Sequence, residues 1–370
     1  MKGLEISVDV FDSIVLGTAT IKNRFARSAT WEGMATLQGA VTPELTRLMK
    51  ALAEGGTGLL FSSHAYVRKD GQASLKQLGI YDDDLLPGLK EMCDVIHAGG
   101  AKVFAQLAHG GANASRALSG FDPVAPSPAE NAKGELSRVM SEEDIAVLTQ
   151  DFAKAADRAV KAGFDGVQIH AAHAYCLGEF LSPYYNKRSD RYGGSVENRA
   201  RALIEVYRAV REVVGKGYPV TAKINSEDFI EGGLTPSMMV ETSALMENEG
   251  LDGMEVSGGG GPAARYSSHR PGDLETPDEE AYYRDAARLY KAHVKKMPLI
   301  LVGGIRSLET SRKILREGLA DMISLARPLI REPGLVKRWA EGDQRRAACV
   351  SCESCTAAAV AGKGLQCVLE

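Results

Sequence analysis

Short apolar runs recur along the chain, and an amphipathic stretch ending in glycine precedes most of them. Each pair predicts a helix, a cap and a buried strand, because glycine readily takes the left-handed conformation after a helix. The capping positions are Gly55, Gly99, Gly163, Gly250 and Gly318. The predicted strands span residues 23–28, 58–61, 102–107, 167–169, 219–224, 254–256, 298–302 and 322–325, and helical periodicity is clear over 148–162 and 199–214.

Strands that alternate with helices predict an α/β protein with parallel strands and covering helices. Eight such units favour a closed (β/α)8 TIM barrel, with a doubly wound open sheet as the alternative. Residues 15–17 and 21–22 predict an N-terminal β-hairpin that caps the bottom of the barrel. We assign residues 1–345 to the barrel and 346–370 to a cysteine-containing tail of the same domain. The longest irregular segment, 178–198, is expected to wall a site.

The composition is that of an ordinary globular protein, with 44% hydrophobic and 25% charged residues among 370. A formal charge of -4 gives no reason to expect a nucleic acid or an anionic membrane as partner. The first residues lack the apolar core of a signal peptide, and no apolar run approaches the roughly 20 residues of a membrane span. We therefore expect a cytoplasmic protein.

Two histidines and a tyrosine follow the fourth predicted strand, at His170, His173 and Tyr175. Because the carboxyl ends of parallel strands hold the ligand site in barrels, we expect these side chains to line one. They are suited to polarising a carbonyl oxygen and transferring a proton. Structural histidines, or a metal-dependent hydrolase with His170 and His173 as ligands, are the alternatives, but no third ligand stands at metal spacing.

Other strand ends carry residues suited to a phosphorylated ligand. Glycines follow strand seven at Gly303 and Gly304, and Arg327 follows strand eight. Barrels commonly bind phosphate in these two loops, through backbone amides, a helix N-terminus and a fork-shaped cation. The remaining candidates at strand ends are Ser28, Ala29, Thr30, Gln106, Lys223, Ser257 and Ala326. A phosphorylated cofactor is the expected occupant.

The block from residue 163 to 201 strongly resembles the old yellow enzyme family of flavin-dependent ene-reductases. The resemblance rests on Leu181-Ser-Pro183, on Asn186 to Asp190, and on Tyr192-Gly-Gly-Ser195 with Glu197-Asn-Arg199. Further matching stretches are 22–25, 106–109, 224–229, 256–259 and 302–305. The resemblance implies a barrel that holds FMN, takes hydride from NADH or NADPH and reduces an activated carbon–carbon double bond of a small molecule. It also implies a homo-oligomer.

The resemblance implies a role for each candidate. Gln106 would bind the pyrimidine edge of the flavin, and Lys223 would place a positive charge by its N1 and O2. Gly303, Gly304 and Arg327 would bind the phosphate. His170 and His173 would donate hydrogen bonds to the substrate carbonyl, and Tyr175 would protonate the alkene. Ser28, Ala29, Thr30, Ser257 and Ala326 would complete the cofactor site, with Thr30 beside the place where the family tunes the flavin potential.

Four cysteines lie close to the C-terminus, at Cys349, Cys352, Cys355 and Cys367. Their spacing is similar to that of ferredoxin ligands, so an iron–sulfur cluster and a zinc ion are both alternatives to the expected free thiols. A cluster would make the protein an iron–sulfur 2,4-dienoyl-CoA reductase-like enzyme, whose larger relatives continue into further domains. Cys93 and Cys176 are expected to be small buried hydrophobic residues.

Overall fold

The computed structural model describes residues 8–261, 264–266, 270, 272, 274 and 276–369. The strands are β1 (Ile14–Leu16), β2 (Ala19–Ile21), β3 (Phe25–Arg27), β4 (Leu59–Tyr66), β5 (Lys102–Ala108), β6 (Val124–Ala125), β7 (Arg138–Val139), β8 (Gly166–Ala171), β9 (Val220–Asn225), β10 (Gly253–Ser257), β11 (Leu299–Leu301) and β12 (Met322–Leu325). The helices are α1 (Pro43–Glu54), α2 (Leu86–Ala98), α3 (Arg116–Ser119), α4 (Glu142–Ala162), α5 (Cys176–Leu181), α6 (Val196–Val214), α7 (Pro236–Glu249), α8 (Arg284–His293), α9 (Leu308–Arg316), α10 (Arg327–Arg331), α11 (Leu335–Ala340) and α12 (Ser354–Val360).

Eight parallel strands close into a barrel in the order β3, β4, β5, β8, β9, β10, β11, β12. The strands follow one another in chain order, and helices cover the outside, so the predicted (β/α)8 barrel is confirmed. Each of the eight predicted strands contains or overlaps one strand of the barrel. None of the helices among the described residues is long and apolar enough to cross a membrane.

The predicted hairpin is also confirmed at the bottom of the barrel, where the strands begin. Strand β1 pairs with β2 in antiparallel register, and the amide of Thr18 in their turn donates to Gly217 O just before β9. Leu16 and Ile21 are fully buried and pack with side chains from the lower interior of the barrel, such as Phe61 and Phe104. Burial of this apolar plug leaves only the upper half of the interior for polar chemistry.

Helix caps account for most of the element boundaries. Ser141 and Asp144 form a reciprocal capping box at the start of α4, and Gly163 ends that helix with φ 86°. The left-handed conformation was wrongly assigned to Gly55 and Gly99, whose φ values are −73° and −76°. In both helices the next glycine in the chain takes the left-handed conformation instead, because the helix extends one residue further before it ends.

Candidate active site

A cavity of about 540 Å³ opens at the carboxyl ends of the barrel strands, within the usual range for a small-molecule site. All of the predicted site residues line it, although they come from the carboxyl-terminal parts of seven of the eight strands and from the loops that follow them. They are Ser28, Ala29, Thr30, Gln106, His170, His173, Tyr175, Lys223, Ser257, Gly303, Gly304, Ala326 and Arg327. The barrel therefore brings together side chains that are almost 300 positions apart in the sequence.

The two histidines and the tyrosine form a compact ring cluster on the wall of the cavity. The ring of His170 lies 5.3 Å from that of His173 and 4.8 Å from that of Tyr175, between centroids. His64, at the end of β4, joins them through a contact of 3.1 Å between its Nε2 and the Tyr175 hydroxyl. His64 thus contacts Tyr175, the predicted acid.

Burial fixes the charge state of this cluster near neutral pH. It lowers the pKa of His170 well below its usual value, and His173, His64 and Lys223 add to the effect. Burial, with Arg27 and Lys223, lowers the pKa of His64 to about 4. The pKa of Tyr175 is raised to about 12 by burial. His64 and His170 are therefore neutral, and Tyr175 retains its phenolic proton.

The turn that carries His173 and Tyr175 has an unusual backbone. His173 and Ala174 take left-handed φ values of 59° and 54°, which few residues with a side chain adopt. Two asparagines hold this turn in place. Asn225 Oδ1 accepts from the His173 amide at 3.1 Å, and Asn113 Nδ2 donates to Ala174 O at 2.6 Å. Strain of this kind persists only where the surroundings impose it, and it is common in active sites.

A buried polar network lies directly below the cavity. Glu255, which is fully buried in β10, accepts at Oε1 from the hydroxyls of Ser28 and Ser324 at 2.8 Å each. Lys223 Nζ donates to Ser28 Oγ at 2.8 Å and lies 3.3 Å from Glu255 Oε1. Gln168 connects the other carboxylate oxygen to Gln106, through bonds of 3.0 and 2.7 Å.

The opposite end of the cavity carries the predicted phosphate residues. Gly303 and Gly304 have positive φ values of 124° and 72°. A Cβ there would lie within 2.7 Å of the rings of Tyr283 and Tyr282, so packing alone already requires glycine. Arg327, with a side chain only 13% exposed, has a buried Nη1 that makes no hydrogen bond in the protein and lies 3.9 Å from Glu353 Oε1. An anion in the cavity would satisfy it.

One part of the predicted phosphate site is wrong. The N-terminus of α9, expected to offer free amides and the positive end of its dipole, is already occupied by the carboxylate of Glu280. Its Oε2 accepts from the amides of Arg306 and Ser307 at 2.8 and 3.1 Å. A phosphate here would therefore depend on the glycine loop and Arg327 rather than on this helix.

The expected role of the segment 178–198 is also wrong, because no residue of this segment lines the cavity. The segment packs behind the wall, where Glu179 Oε1 accepts from the Ala112 amide at 3.0 Å. His109 is buried beneath the rim, with its Nε2 3.2 Å from Asp70 Oδ1. Ser195 caps α6.

The C-terminal tail completes the wall of the cavity. Ser351, Thr356 and Leu365 line it, and Ser351 accepts a hydrogen bond from Arg306. Cys349, Cys352, Cys355 and Cys367 line a second, smaller pocket next to it, and Arg327 and Ser351 border both pockets. Within the described residues, no group of three or more His, Cys, Asp or Glu side chains is arranged to hold a metal ion. The three histidines at the main cavity are likewise not arranged as metal ligands.

The sequence analysis missed the buried members of the site, namely Glu255, Gln168, Asn225 and Ser324. A signal was available for the first two. Each is a polar residue in the middle of an otherwise apolar strand, in Met254-Glu-Val256 and Val167-Gln-Ile169. Polar side chains on a buried strand must find partners inside the barrel, and here they find one another.

The cavity fits a flavin with a phosphate tail. Arg327, whose Nη1 makes no hydrogen bond in the protein, lies at one end, and a lysine, a glutamine and a serine supply polar contacts at the centre. His170, whose buried Nδ1 also has no partner in the protein, stands with Tyr175 where a reacting molecule would bind. Fold and site together are those of a flavin-dependent oxidoreductase.

The family model of the NADH:flavin oxidoreductase / NADH oxidase family matches residues 9–345, and the chain belongs to that family. Membership confirms the enzyme class expected from the sequence, a flavin-dependent oxidoreductase with FMN as the flavin. The NADH oxidase of Thermoanaerobacter brockii is 33% identical over 365 residues, which are 97% of this chain and 54% of that protein.

Two solved structures are similar over almost the whole chain. An old yellow enzyme homologue from Zymomonas mobilis has a TM-score of 0.77 and 27% identity, and covers 92% of this chain and 94% of its own. A 2-naphthoyl-CoA reductase, in complex with 2-naphthoyl-CoA, has a TM-score of 0.90 and 27% identity. It covers 98% of this chain and 57% of its own, so the chain spans little more than half of that protein and of the NADH oxidase.

Proposed function

We propose that the protein uses NADH or NADPH to reduce the carbon–carbon double bond of α,β-unsaturated carbonyl compounds. The observation that carries this proposal is the ring cluster of His170, His173 and Tyr175, with hydrogen-bond donors and a proton donor beside the predicted flavin site. The specific residue roles are part of the same proposal.

On the cofactor side, the chain would hold FMN through residues from two strands and two loops. Gln106 and Lys223 would contact the pyrimidine edge, while Arg327 and the amides after β11 would hold the phosphate. The buried ammonium of Lys223 would stabilise negative charge at that edge. When bound, FMN accepts a hydride from the nicotinamide and supplies it to the alkene.

On the substrate side, His170 and His173 would donate hydrogen bonds to the carbonyl oxygen. Their donation draws electron density from the double bond and stabilises the charge that develops on this oxygen. Tyr175, which keeps its proton because its pKa is about 12, would protonate the carbon next to the carbonyl. None of the described residues lining the cavity is Asp or Glu, which favours a neutral carbonyl substrate over a cationic amine.

The direct test is spectroscopic. The purified protein should be yellow, should bleach on addition of NADH or NADPH without oxygen, and should regain its colour when an enone such as cyclohexenone is added. Mass spectrometry should then find the saturated ketone. A protein that is reduced by the nicotinamide but not reoxidised by any enone, enoate or dienoyl thioester would refute the proposed reaction.

A second candidate is an iron–sulfur enzyme that reduces CoA thioesters of unsaturated acids. It is favoured by the common pocket of Cys349, Cys352, Cys355 and Cys367, although these described side chains are not yet grouped as metal ligands and would have to converge on a cluster. Ser351 and Glu353, between these cysteines, take left-handed φ values of 53° and 62°, as in loops that turn backbone amides towards an anionic centre. The 2-naphthoyl-CoA bound in the similar reductase is a ligand of this chemical kind.

This candidate predicts about four iron and four labile sulfide atoms per chain in anaerobically purified protein. Replacing Cys355 with Ala should remove most of the iron, whereas Cys93→Ala, in a buried cysteine far from the tail, should not. Zinc in place of iron would support the zinc site that was the other metal alternative for the same four cysteines. Free thiols at all four positions in protein purified without oxygen would exclude both metals.

Several further expectations stay predictions. The composition and the resemblance predict a cytoplasmic homo-oligomer that has neither a nucleic acid nor a membrane as partner. The division between the barrel at residues 1–345 and the tail at 346–370 is likewise a proposal. Backbone hydrogen bonds join the two parts. The Ala347 amide donates to Arg306 O and the Leu365 amide donates to Glu32 O, both at 2.8 Å.

A further inference from the structure

Glu255 does not line the cavity, yet it contacts several residues that do. Its carboxylate accepts hydrogen bonds from Ser28 and Ser324 and faces the ammonium of Lys223. Glu255 is fully buried, and Lys223 is only 3% exposed, so neither charge is screened by water. The negative charge of Glu255 therefore largely compensates the positive charge of Lys223, which would face the flavin.

The hydrogen bonds around Glu255 have a fixed direction. Lys223 can only donate, so Ser28 accepts from it and directs its own proton to Glu255 Oε1. A carboxylate can only accept, so Gln168 presents its amide nitrogen to Oε2 and its oxygen to Gln106. Gln106 must then donate one N–H to Gln168 and keep its own oxygen and second N–H for the cavity.

The charge of Glu255 thus determines which side-chain atoms Gln106 presents to the cavity. If Glu255 were neutral and donated to Gln168, both amides would turn over, and Gln106 would lose its free acceptor. The pyrimidine edge of a flavin offers one N–H between two carbonyl oxygens. An amide with a free oxygen and a free N–H can pair with this edge through two adjacent hydrogen bonds.

We propose that Glu255 is a positioning residue for the flavin, which orients Gln106 through Gln168 and sets the reduction potential by compensating the charge of Lys223. This inference rests on FMN binding at the proposed site but not on the alkene. Reduced flavin carries more negative charge at this edge than oxidised flavin. Removing the Glu255 charge should therefore favour the reduced form.

The first test is the reduction potential of bound FMN in Glu255→Gln, measured against a redox dye. We expect reduced FMN to bind about tenfold more tightly relative to oxidised FMN, which raises a two-electron potential by about 30 mV. Glu255→Asp retains the charge and should return the potential towards that of the unmodified protein. Ser324→Ala removes one hydrogen bond to Glu255 without changing a charge, so it should raise the potential much less than Glu255→Gln does.

The second test separates orientation from charge. Gln168→Leu breaks the chain to Gln106 but leaves Glu255 and Lys223 intact, so both oxidation states of FMN should bind more weakly by the same factor. If Glu255→Gln does not fold, Gln168→Leu still tests whether the hydrogen-bond chain from Glu255 orients Gln106 for FMN binding. An unchanged potential in folded Glu255→Gln, or unchanged FMN affinity in Gln168→Leu, would overturn the inference. Neither measurement uses an enone, so failure of the proposed reaction would be seen separately.

Discussion

Replacing His170 with Ala should slow enone reduction by about 10²–10³-fold in kcat, the usual cost of losing one preorganised donor to a developing oxyanion. The imidazole lies in the ring cluster, and its depressed pKa keeps it neutral near pH 7. It would therefore act as a hydrogen-bond donor rather than as a charge. Stopped-flow reoxidation of the reduced protein by cyclohexenone measures this step directly.

His97→Ala is the matched control for this loss. His97 lies at the opposite end of the barrel, where its Nε2 contacts Asp165 at 2.7 Å, and its loss should leave the reoxidation rate unchanged. The FMN content of both variants should equal that of the unmodified protein. Unaltered turnover in FMN-loaded His170→Ala would show that the carbonyl is bound elsewhere.

Replacing Tyr175 with Phe should slow reoxidation by the enone by about 10²-fold or more, within the usual range for a lost general acid. Reduction of the flavin by NADH or NADPH needs no proton from this residue and should proceed at its normal rate. Because the pKa of Tyr175 is raised to about 12, the phenol stays protonated, and its contribution is lost only as the pH rises towards that value.

Tyr184→Phe provides the comparison for this variant, because Tyr184 is 38% exposed and lies outside the cavity. Both half-reactions should be normal in Tyr184→Phe. If Tyr175→Phe slowed flavin reduction and reoxidation equally, Tyr175 would contribute to the shape of the site rather than to proton transfer. If it slowed neither, the proton would come from another donor.

Local pattern was sufficient to predict the barrel. The glycine-capped repeat marks five of the eight strands and short apolar runs mark the others, and chain order then places every strand end at one rim, so Gln106, Lys223 and Arg327 had to meet. The contacts between strands could not be predicted in this way. That Glu255 faces Lys223, or that Asn225 holds the turn at His173, depends on interior orientation and on side-chain rotamers, which a single sequence does not encode locally.

The errors have the same origin. Glu280 occupies the N-terminus of α9 from a distant part of the chain, so the amides that looked free in the sequence are already bonded. The segment 178–198 was expected to wall the site because it is long. It packs instead behind the turn that carries His173 and Tyr175. Local sequence predicts which groups are present, whereas tertiary contacts decide which of them remain available.

The matched family region ends at residue 345, but Ser351, Thr356 and Leu365 lie beyond it and still line the main cavity. A fragment cut at the boundary of the recognised family would retain every barrel strand and yet leave the cavity open on one side. The stretch that defines family membership and the stretch that encloses the cavity are therefore different lengths of chain.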